Sequence, residues 1–344
     1  MMQGRKILVL VIIVFAVMLS SFGFYAYQIF FVPNILVDQQ GRYFPIDDGT
    51  TFKELQKRME DERIVGNLMA FSFVARIKGY DTEIKPGMYY LEENMNNIAV
   101  VNMLRAGRQI PVKLTFNSAR RLEDLAGKLT TAVQIDSADM APLLASPEVS
   151  AKYGFDTLNF ISMFIPNTYE VYWTISPEGI LDRMKAEYDR FWNEKRRKLA
   201  DSIGLTPQEV STLASIVESE TNMNDEKARL AGVYVNRIKR GIPLQADPTL
   251  VFALGKDVRR VINKDKQIDS PYNTYKYRGL PPGPIKMPSI PGIDAVLNHE
   301  DHQYLYFCAK DDFSGYHVFS ETLSEHNIHA ARFQRALNQR GIYR

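Results

Sequence analysis

Cysteine is almost absent from this chain of 344 residues, whose one thiol is that of Cys308. A single cysteine cannot form an intramolecular disulfide, so the small disulfide-stapled scaffolds are excluded. Apolar cores must therefore stabilise the chain, and at this length they can belong to two or three domains. The cysteine content does not specify a redox compartment, because reducing and oxidising environments both tolerate a lone thiol.

An excess of charge of one sign is also missing. Lysine and arginine together number 42, against 40 aspartate and glutamate residues, which leaves a net charge of +2. Such a balance provides no basic field that would attract a phosphate backbone. A nucleic-acid partner is therefore not expected.

Histidine is scarce, and the five histidines do not form a metal-binding motif. His299 and His302 are three positions apart, as are His326 and His329, but neither pair has an HExxH-type arrangement. We therefore predict no metal site and no cofactor.

Apolar residues, in contrast, form one long run from Ile7 to Val32 without a charge. At about 1.5 Å per residue, a helix of this length can cross a hydrocarbon core about 30 Å thick. Arg5 and Lys6, in the head formed by residues 1–6, favour a cytoplasmic N-terminus. The alternative is a cleaved signal peptide, but the run exceeds a usual signal core and contains no A-x-A-like cleavage site. We predict an uncleaved transmembrane anchor over residues 7–32.

Short strands and helices alternate between residues 39 and 110, and the pattern predicts a small α/β module. Glycine at position 107 ends its last helix. The predicted elements are strands at Arg42–Ile46 and Gly87–Leu91, a helix from Thr51, and helices over Asn67–Ile77 and Asn97–Arg105.

Residues 111–204 repeat the beginning of this pattern and then become helical. Val112–Phe116 alternates like a half-buried strand, and the apolar spacing after it matches that of residues 52–59, seventy positions earlier. The match suggests an internal duplication, although any two amphipathic helices that follow strands look alike. Ser176 and the proline after it predict another helix start, in a connector that ends at Gly204.

The segment 205–344 begins with a strongly specified helix. Thr206 to Glu209 form a capping box with proline at the first helical position. On a 3.6-residue repeat, Glu218 lies where an apolar face meets a narrow polar strip, and such a border favours the neutral, proton-donating form of a carboxyl. Glu220 is predicted to point to the other side. From the pattern alone, a surface charge without a catalytic role is the favoured interpretation of Glu218.

Five short blocks follow one another in this half of the chain. They are ASIVESET (214–221), LQADPT (244–249), YNTYKYRGLPPGPI (272–285), GYHVF (315–319) and EHN (325–327). In order and approximate spacing they resemble the YceG-like endolytic murein transglycosylases.

The resemblance implies an α+β fold with three parts: an N-terminal transmembrane helix, a LysM-like α/β module at 39–110 and a mixed α+β catalytic domain at 205–344. It also implies that Glu218 is the catalytic residue. One stretch departs from the family, because Ile161, Ser162 and Asn167 replace its usual glutamate, glycine and acidic residue.

Cleavage of a glycosidic bond needs a proton for the leaving oxygen. The resemblance implies that Glu218 supplies this proton as general acid and then, as base, takes one from the sugar's own 6-hydroxyl. The local sequence offers no obvious second carboxylate, which a hydrolase normally needs. The expected reaction is endolytic cleavage of MurNAc–GlcNAc bonds in nascent peptidoglycan strands, which leaves 1,6-anhydro-MurNAc ends.

The resemblance also implies partners and a location. Peptidoglycan glycan strands are the expected substrate, and peptidoglycan synthases are the expected neighbours. With the predicted anchor, the protein is expected in the inner (cytoplasmic) membrane, with its catalytic domain on the periplasmic or extracytoplasmic side.

Further candidates for substrate binding occupy polar and aromatic positions of the five blocks. Asp247 precedes a proline and a helical run, so a helix N-cap is favoured over substrate contact. Gln245 can hold an acetamido or hydroxyl group, because its amide both donates and accepts. The tyrosines can bind sugar faces, or can simply pack the proline-rich loop onto the domain. The remaining candidates are Ser215, Tyr272, Asn273, Thr274, Tyr275, His317, His326 and Asn327.

Two other functions remain open from the sequence. A non-catalytic wall-binding scaffold would use the LysM-like module to hold glycan. A true glycan hydrolase would use Asp247 as a second carboxylate.

Overall fold

The computed structural model describes residues 2–255 and 261–341. These residues form two compact units. The N-terminal unit contains the chain up to Leu114, together with Ala132–Ile135 and Tyr169–Ile175. The C-terminal unit contains Thr115–Thr131, Asp136–Thr168 and the described residues from Ser176 onward.

The first element is a long apolar helix, α1 (Met2–Phe31), which includes most of the predicted anchor. By length and composition its segment Gly4–Phe31 can cross a membrane. Nearly all of its apolar side chains from Ile7 onward are exposed, which is the pattern of a helix without a protein core around it.

The rest of the N-terminal unit is built around the antiparallel pair β1 (Arg42–Ile46) and β2 (Gly87–Leu91), with Arg42 opposite Leu91. Capping side chains begin each helix, and the apolar faces of strands and helices share one buried cluster. The helices are α2 (Phe52–Asp61), α3 (Leu68–Ile77) and α4 (Asn97–Arg105). Every strand and helix predicted for residues 39–110 is therefore confirmed.

A second strand and helix start seventy positions after the first, as the sequence indicated. They are β3 (Val112–Phe116), which pairs with β4 (Asn167–Val171), and α5 (Leu122–Thr130). Between α5 and β4 lie α6 (Ser137–Ala145), α7 (Pro147–Lys152) and a short 3₁₀ turn. The offset of seventy residues is that between the starts of β1 and β3 and between the starts of α2 and α5. The internal duplication itself stays a prediction.

The C-terminal unit is mainly helical, and α10 (Pro207–Glu220) lies at its centre. The surrounding helices are α8 (Pro177–Phe191), α9 (Glu194–Ile203), α11 (Asn224–Lys239), α12 (Asp247–Leu254), α13 (Ile290–Leu297) and α14 (Leu323–Gln339). Residues from Val210 to Val217 of α10 are buried in an unbroken run, because α9, α11, α12 and α13 all pack on this helix. An antiparallel pair, β5 (Tyr306–Ala309) and β6 (His317–Ser320), lies between α13 and α14 in the chain.

Candidate functional site

A cleft of about 530 Å³ lies at the C-terminal end of α10, within the C-terminal unit. It is bounded by the segment after β3, the first turns of α12 and the segment that leads toward α13. Its lining residues are Ser118, Ala119, Arg120, Ser219, Glu220, Asp247, Pro248, Val251, Phe252, Ile285 and Lys286.

A second cleft, of about 300 Å³, lies on the other side of the same carboxyl groups. Its lining residues are Glu220, Arg237, Leu244, Gln245, Asp247, Tyr275, Tyr306, Phe307, Leu323 and His326. Glu220 and Asp247 are the two residues common to both clefts. This carboxyl pair therefore marks the junction of two cavities, which together can hold an extended ligand such as a glycan strand.

Glu220 is the last residue of α10 and accepts a hydrogen bond of 3.0 Å from the hydroxyl of Tyr234 on α11. Burial raises the pKa of Glu220 to about 7, the Tyr234 hydrogen bond opposes the rise, and the nearby charge of Asp247 adds to it. A carboxyl with this pKa can hold a proton near neutral pH. Glu220 points to a different side of α10 from Glu218, as the helical period predicts, and α11 and α12 bring its partners to that side of the helix end.

Asp247 is the first residue of α12, and the N-cap position belongs to Ala246. No cap hydrogen bond from a side chain is present there, so the predicted N-cap role of Asp247 is wrong. Instead its Oδ1 accepts a hydrogen bond of 2.6 Å from the Tyr275 hydroxyl. The exposed carboxylate is held toward both clefts rather than toward its own helix.

Glu218 precedes Glu220 by two residues on α10, and its side chain is 8% exposed. Its Oε2 accepts a hydrogen bond of 3.0 Å from the backbone N–H of Ser289, and Oε1 accepts from the Ser289 hydroxyl. Lys227 Nζ lies 3.4 Å from Oε1, and Lys286 Nζ lies 4.0 Å from Oε2. Lys286 also lines the larger cleft, so one ammonium group connects that cleft with the Glu218 carboxylate.

The approach of α13 to Glu218 requires a glycine. A Cβ at Gly292 would lie 2.7 Å from both Cγ and Cδ of Glu218, closer than side chains tolerate. Ser289 caps α13, so the Glu218 carboxyl group is held at the N-terminus of this helix.

Three of the candidate substrate-binding residues are buried and bonded internally. Ser215 is 0% exposed, donates to the carbonyl of Thr212 and accepts from the N–H of Ile285 at 3.0 Å. Asn273 binds backbone groups of its own loop through both ends of its amide, and the Thr274 hydroxyl contacts that of Thr249 at 2.9 Å. These side chains fix the loop against the helices and have almost no surface left for a ligand.

Other candidates do reach a cavity. Tyr275, Gln245 and His326 line the smaller cleft, where the buried Nδ1 of His326 has no hydrogen-bond partner among the described residues. Burial lowers the pKa of His326, so its ring is neutral near pH 7. Tyr272 packs on Phe252, with 4.7 Å between ring centroids, and lines a separate cavity of about 280 Å³.

The last two candidates lie away from the carboxyl junction. His317, on β6, is held by Glu226, whose carboxylate accepts its backbone N–H at 2.7 Å and lies 2.8 Å from Nδ1. Asn327 is an exposed residue of α14. Within the described ranges, no group of three or more His, Cys, Asp or Glu side chains could hold a metal ion.

Comparison with known proteins follows the same blocks of sequence. A model of the YceG-like family matches residues 44–332. A protein named endolytic murein transglycosylase from Streptococcus pneumoniae is 28% identical over 95% of this chain, which spans 65% of that relative's length. A protein of the same name from Bacillus subtilis is 26% identical, with 86% of this chain and 85% of the relative covered.

A solved structure agrees with this relationship. The YceG-like protein of Listeria monocytogenes superimposes with a TM-score of 0.56 and is 30% identical, covering 85% of this chain and 99% of its own. The family match includes β1, the central helix α10 and both clefts, and it extends into α14. The chain therefore belongs to the YceG-like family.

Proposed function

We propose that the protein is an endolytic lytic transglycosylase that cleaves MurNAc–GlcNAc bonds in peptidoglycan strands. The proposal rests on one observation above all: within the residues that match the YceG-like family, the helix that carries Glu218 ends at two adjoining clefts. Relatives named endolytic murein transglycosylases match most of this chain. An endolytic enzyme must hold sugar on both sides of the bond that it cuts, and the two clefts meet at a carboxyl pair.

In this mechanism Glu218 is the general acid and base. It gives a proton to the glycosidic oxygen as the bond from C1 of MurNAc to that oxygen breaks. The 6-hydroxyl then bonds to C1 and returns its proton to Glu218, so the 1,6-anhydro end forms without water. Lys227, Lys286 and Ser289 hold the carboxylate in place, and movement of Lys286 on glycan binding would open it to the larger cleft.

Glu220 and Asp247 serve the glycan at the junction. Burial, with the nearby charge of Asp247, raises the pKa of Glu220 to about 7, so Glu220 can hold a proton near neutral pH. Neutral Glu220 donates a hydrogen bond to a sugar oxygen, and Asp247 accepts one from a hydroxyl. The Tyr275 ring beside them, and His326 and Gln245 across the smaller cleft, complete the binding surface.

The location follows from α1 and its flanking charges. We assign α1 as a single-pass anchor in the inner (cytoplasmic) membrane, with the N-terminus in the cytoplasm and the clefts on the periplasmic or extracytoplasmic side. The β–α–α–β order of β1, α2, α3 and β2 favours a LysM-like module that binds glycan. Peptidoglycan synthases are the proposed neighbours, since nascent strands are the proposed substrate.

The test is the Glu218→Gln variant, incubated with purified peptidoglycan and followed by mass spectrometry of the products. Gln cannot give or take the proton, so all anhydro ends are expected to disappear while glycan binding persists. Glu194→Gln is the matched control, because Glu194 is an exposed residue of α9, far along the chain from the clefts. Full activity of Glu218→Gln would refute the assignment of Glu218.

Asp247 supports a second candidate function, a glycan hydrolase. Because this carboxylate is not an N-cap and faces both clefts, it could activate a water molecule. Hydrolysed ends are heavier than anhydro ends by one water, so the same mass spectra distinguish the two reactions. Ends that carry the extra water, and vanish in Asp247→Asn, would establish hydrolysis.

A further inference from the structure

The helix α3 is apolar on two opposite faces. Phe71, Val74 and Ala75 enter the core of the N-terminal unit. On the opposite face, Met69, Phe73 and Ile77 are 82%, 49% and 57% exposed. Their spacing of four places them in one line along the helix, and a soluble module has no reason to expose such a line to water.

This exposed line is continuous with the membrane helix. Phe73 packs on Phe30 of α1, with 6.3 Å between ring centroids. Between α1 and α3 runs a groove of about 430 Å³ whose walls are almost wholly apolar. Its lining residues are Ser21, Phe22, Tyr25, Ala26, Ile29, Phe30 and Phe73.

The depth of the groove in the membrane follows from the residues of α1 that line it. Its lining starts at Ser21, ten residues before the helix ends at Phe31, and ten residues of helix measure about 15 Å. That distance is about half of a hydrocarbon core some 30 Å thick. If α1 spans the bilayer, the Ser21 end of the groove therefore lies within the hydrocarbon core, and Phe73, which contacts Phe30 one residue before α1 ends, lies toward its outer boundary.

Hydrogen bonds hold α1 in this position against the module. The Asn97 side chain donates to the carbonyl of Ile29 at 2.8 Å, and the Asn96 side chain donates to that of Phe31 at 3.4 Å. Backbone N–H groups of Asn34 and Ile35, just after the helix, both donate to the carbonyl of Met95. The module cannot swing away from α1 without breaking these bonds.

We infer that α3 lies in the outer leaflet of the membrane, with Met69, Phe73 and Ile77 in contact with lipid and an acyl chain in the groove beside α1. The inference rests on the proposed spanning role of α1. Lipid is the occupant because the exposed line continues the lipid-facing surface of α1 without a polar break. Arg76 and Lys78, which flank the line at the end of α3, are placed to meet anionic headgroups.

The functional consequence concerns the glycan-binding module. With α3 embedded, the N-terminal unit is held flat against the membrane instead of on a free stalk. A strand bound there would be one that lies close to the membrane surface, as a strand does while it is still being made.

The test places single cysteines in the full chain, in a Cys308→Ser background, and labels each with an environment-sensitive fluorophore. The probe sites are Met69→Cys and Phe73→Cys on α3, with Lys53→Cys as the matched control on an exposed position of α2. Phe15→Cys in α1 reports the span itself. Each protein is inserted, one copy per disc, into nanodiscs of phosphatidylethanolamine and phosphatidylglycerol with brominated acyl chains.

Bromolipid is expected to quench positions 15, 69 and 73 at least twofold more than position 53, and aqueous iodide to quench position 53 alone. Quenching of position 15 without positions 69 and 73 would overturn the inference and leave the anchor intact. If position 15 is not quenched either, the anchor and the inference both fall. A second preparation has two copies in each disc. If positions 69 and 73 are protected from iodide only in that preparation, the occupant is a second copy and not lipid. None of these readouts depends on glycan cleavage, so a failure of this inference can be distinguished from a failure of the proposed activity.

Discussion

Glu218 and Glu220 are two positions apart on α10, yet their surroundings differ in kind. Glu218 is surrounded by donors, two of them ammonium groups. Glu220 faces another carboxyl and receives one neutral hydroxyl donor. The two glutamates are therefore expected to respond differently to amide substitution.

The first prediction concerns stability. The pKa of Glu220 rises from 4.5 to about 7 on folding, so between these values the folded state binds more protons than the unfolded chain. The free energy of unfolding must then fall as pH rises from about 4.5 to 7 and stay lowered above that. Glu220→Gln removes this titration, and should be more stable than the wild type by on the order of 2 kcal/mol at pH 8 and equal to it at pH 4.

Tryptophan fluorescence can follow the unfolding of the C-terminal unit, which contains Glu220. Trp192, buried at the end of α8, belongs to the C-terminal unit, whereas Trp173 belongs to the other. Denaturant unfolding in a Trp173→Phe background therefore reports the unit that contains Glu220. If the free energies of unfolding of Glu220→Gln and the wild type differed by the same amount at pH 4 and pH 8, the assigned protonation of Glu220 would be contradicted.

The second prediction concerns the role of Glu220 in glycan binding. Wild-type KM should rise about tenfold between pH 6 and 8, because ionised Glu220 can no longer donate to a sugar oxygen. Glu220→Gln donates at every pH, so its KM should stay flat while its kcat remains within a few-fold of wild type. A kcat reduced a thousandfold in Glu220→Gln would instead make Glu220 the proton donor of the reaction.

At the scale of elements, the site depends on how closely α13 approaches α10. In Gly292→Ala the new methyl group overlaps Glu218, whose flexible end can shift, so stability should change by less than about 1 kcal/mol. The displaced carboxylate, however, should lower kcat about 100-fold. Gly127→Ala in α5 is the matched control, since its methyl group meets nothing within 4 Å. Equal activity of the two alanine variants would show that the position of Glu218 is unimportant.

The elements themselves were largely predictable, because their signals are local. Capping boxes at Thr51 and Thr206 and the apolar periods of β1 and β3 fixed where elements begin. The helical period predicted that Glu220 points to the other side from Glu218, but it did not predict that two clefts meet on that side. Which side of a helix end faces a cavity depends on the partners that arrive there, here Tyr234 of α11 and Asp247 of α12.

At the scale of the whole molecule, the orientation of the anchor is a matter of charge. Arg5 and Lys6 precede the apolar run of α1, so the N-terminus should stay in the cytoplasm and the C-terminus should cross. Alkaline phosphatase fused after Arg344 should be active, and green fluorescent protein at the same place dark. In Arg5→Glu/Lys6→Glu the orientation bias is removed, and phosphatase activity should fall. Fluorescence from the wild-type fusion would reverse the assigned orientation.

The sequence by itself determined the long apolar helix and the order of strands and helices, because run length, period and caps act within a few residues of each other, and the resemblance of its motifs to a known family indicated Glu218. Only the tertiary structure decided which side chains meet. It removed Ser215, Asn273 and Thr274 from solvent, took Asp247 out of the N-cap position, and placed Glu220 at the junction of two clefts. Burial and the charge of a neighbour are set by residues distant in the chain, so the pKa of Glu220 could not be foreseen from its own helix.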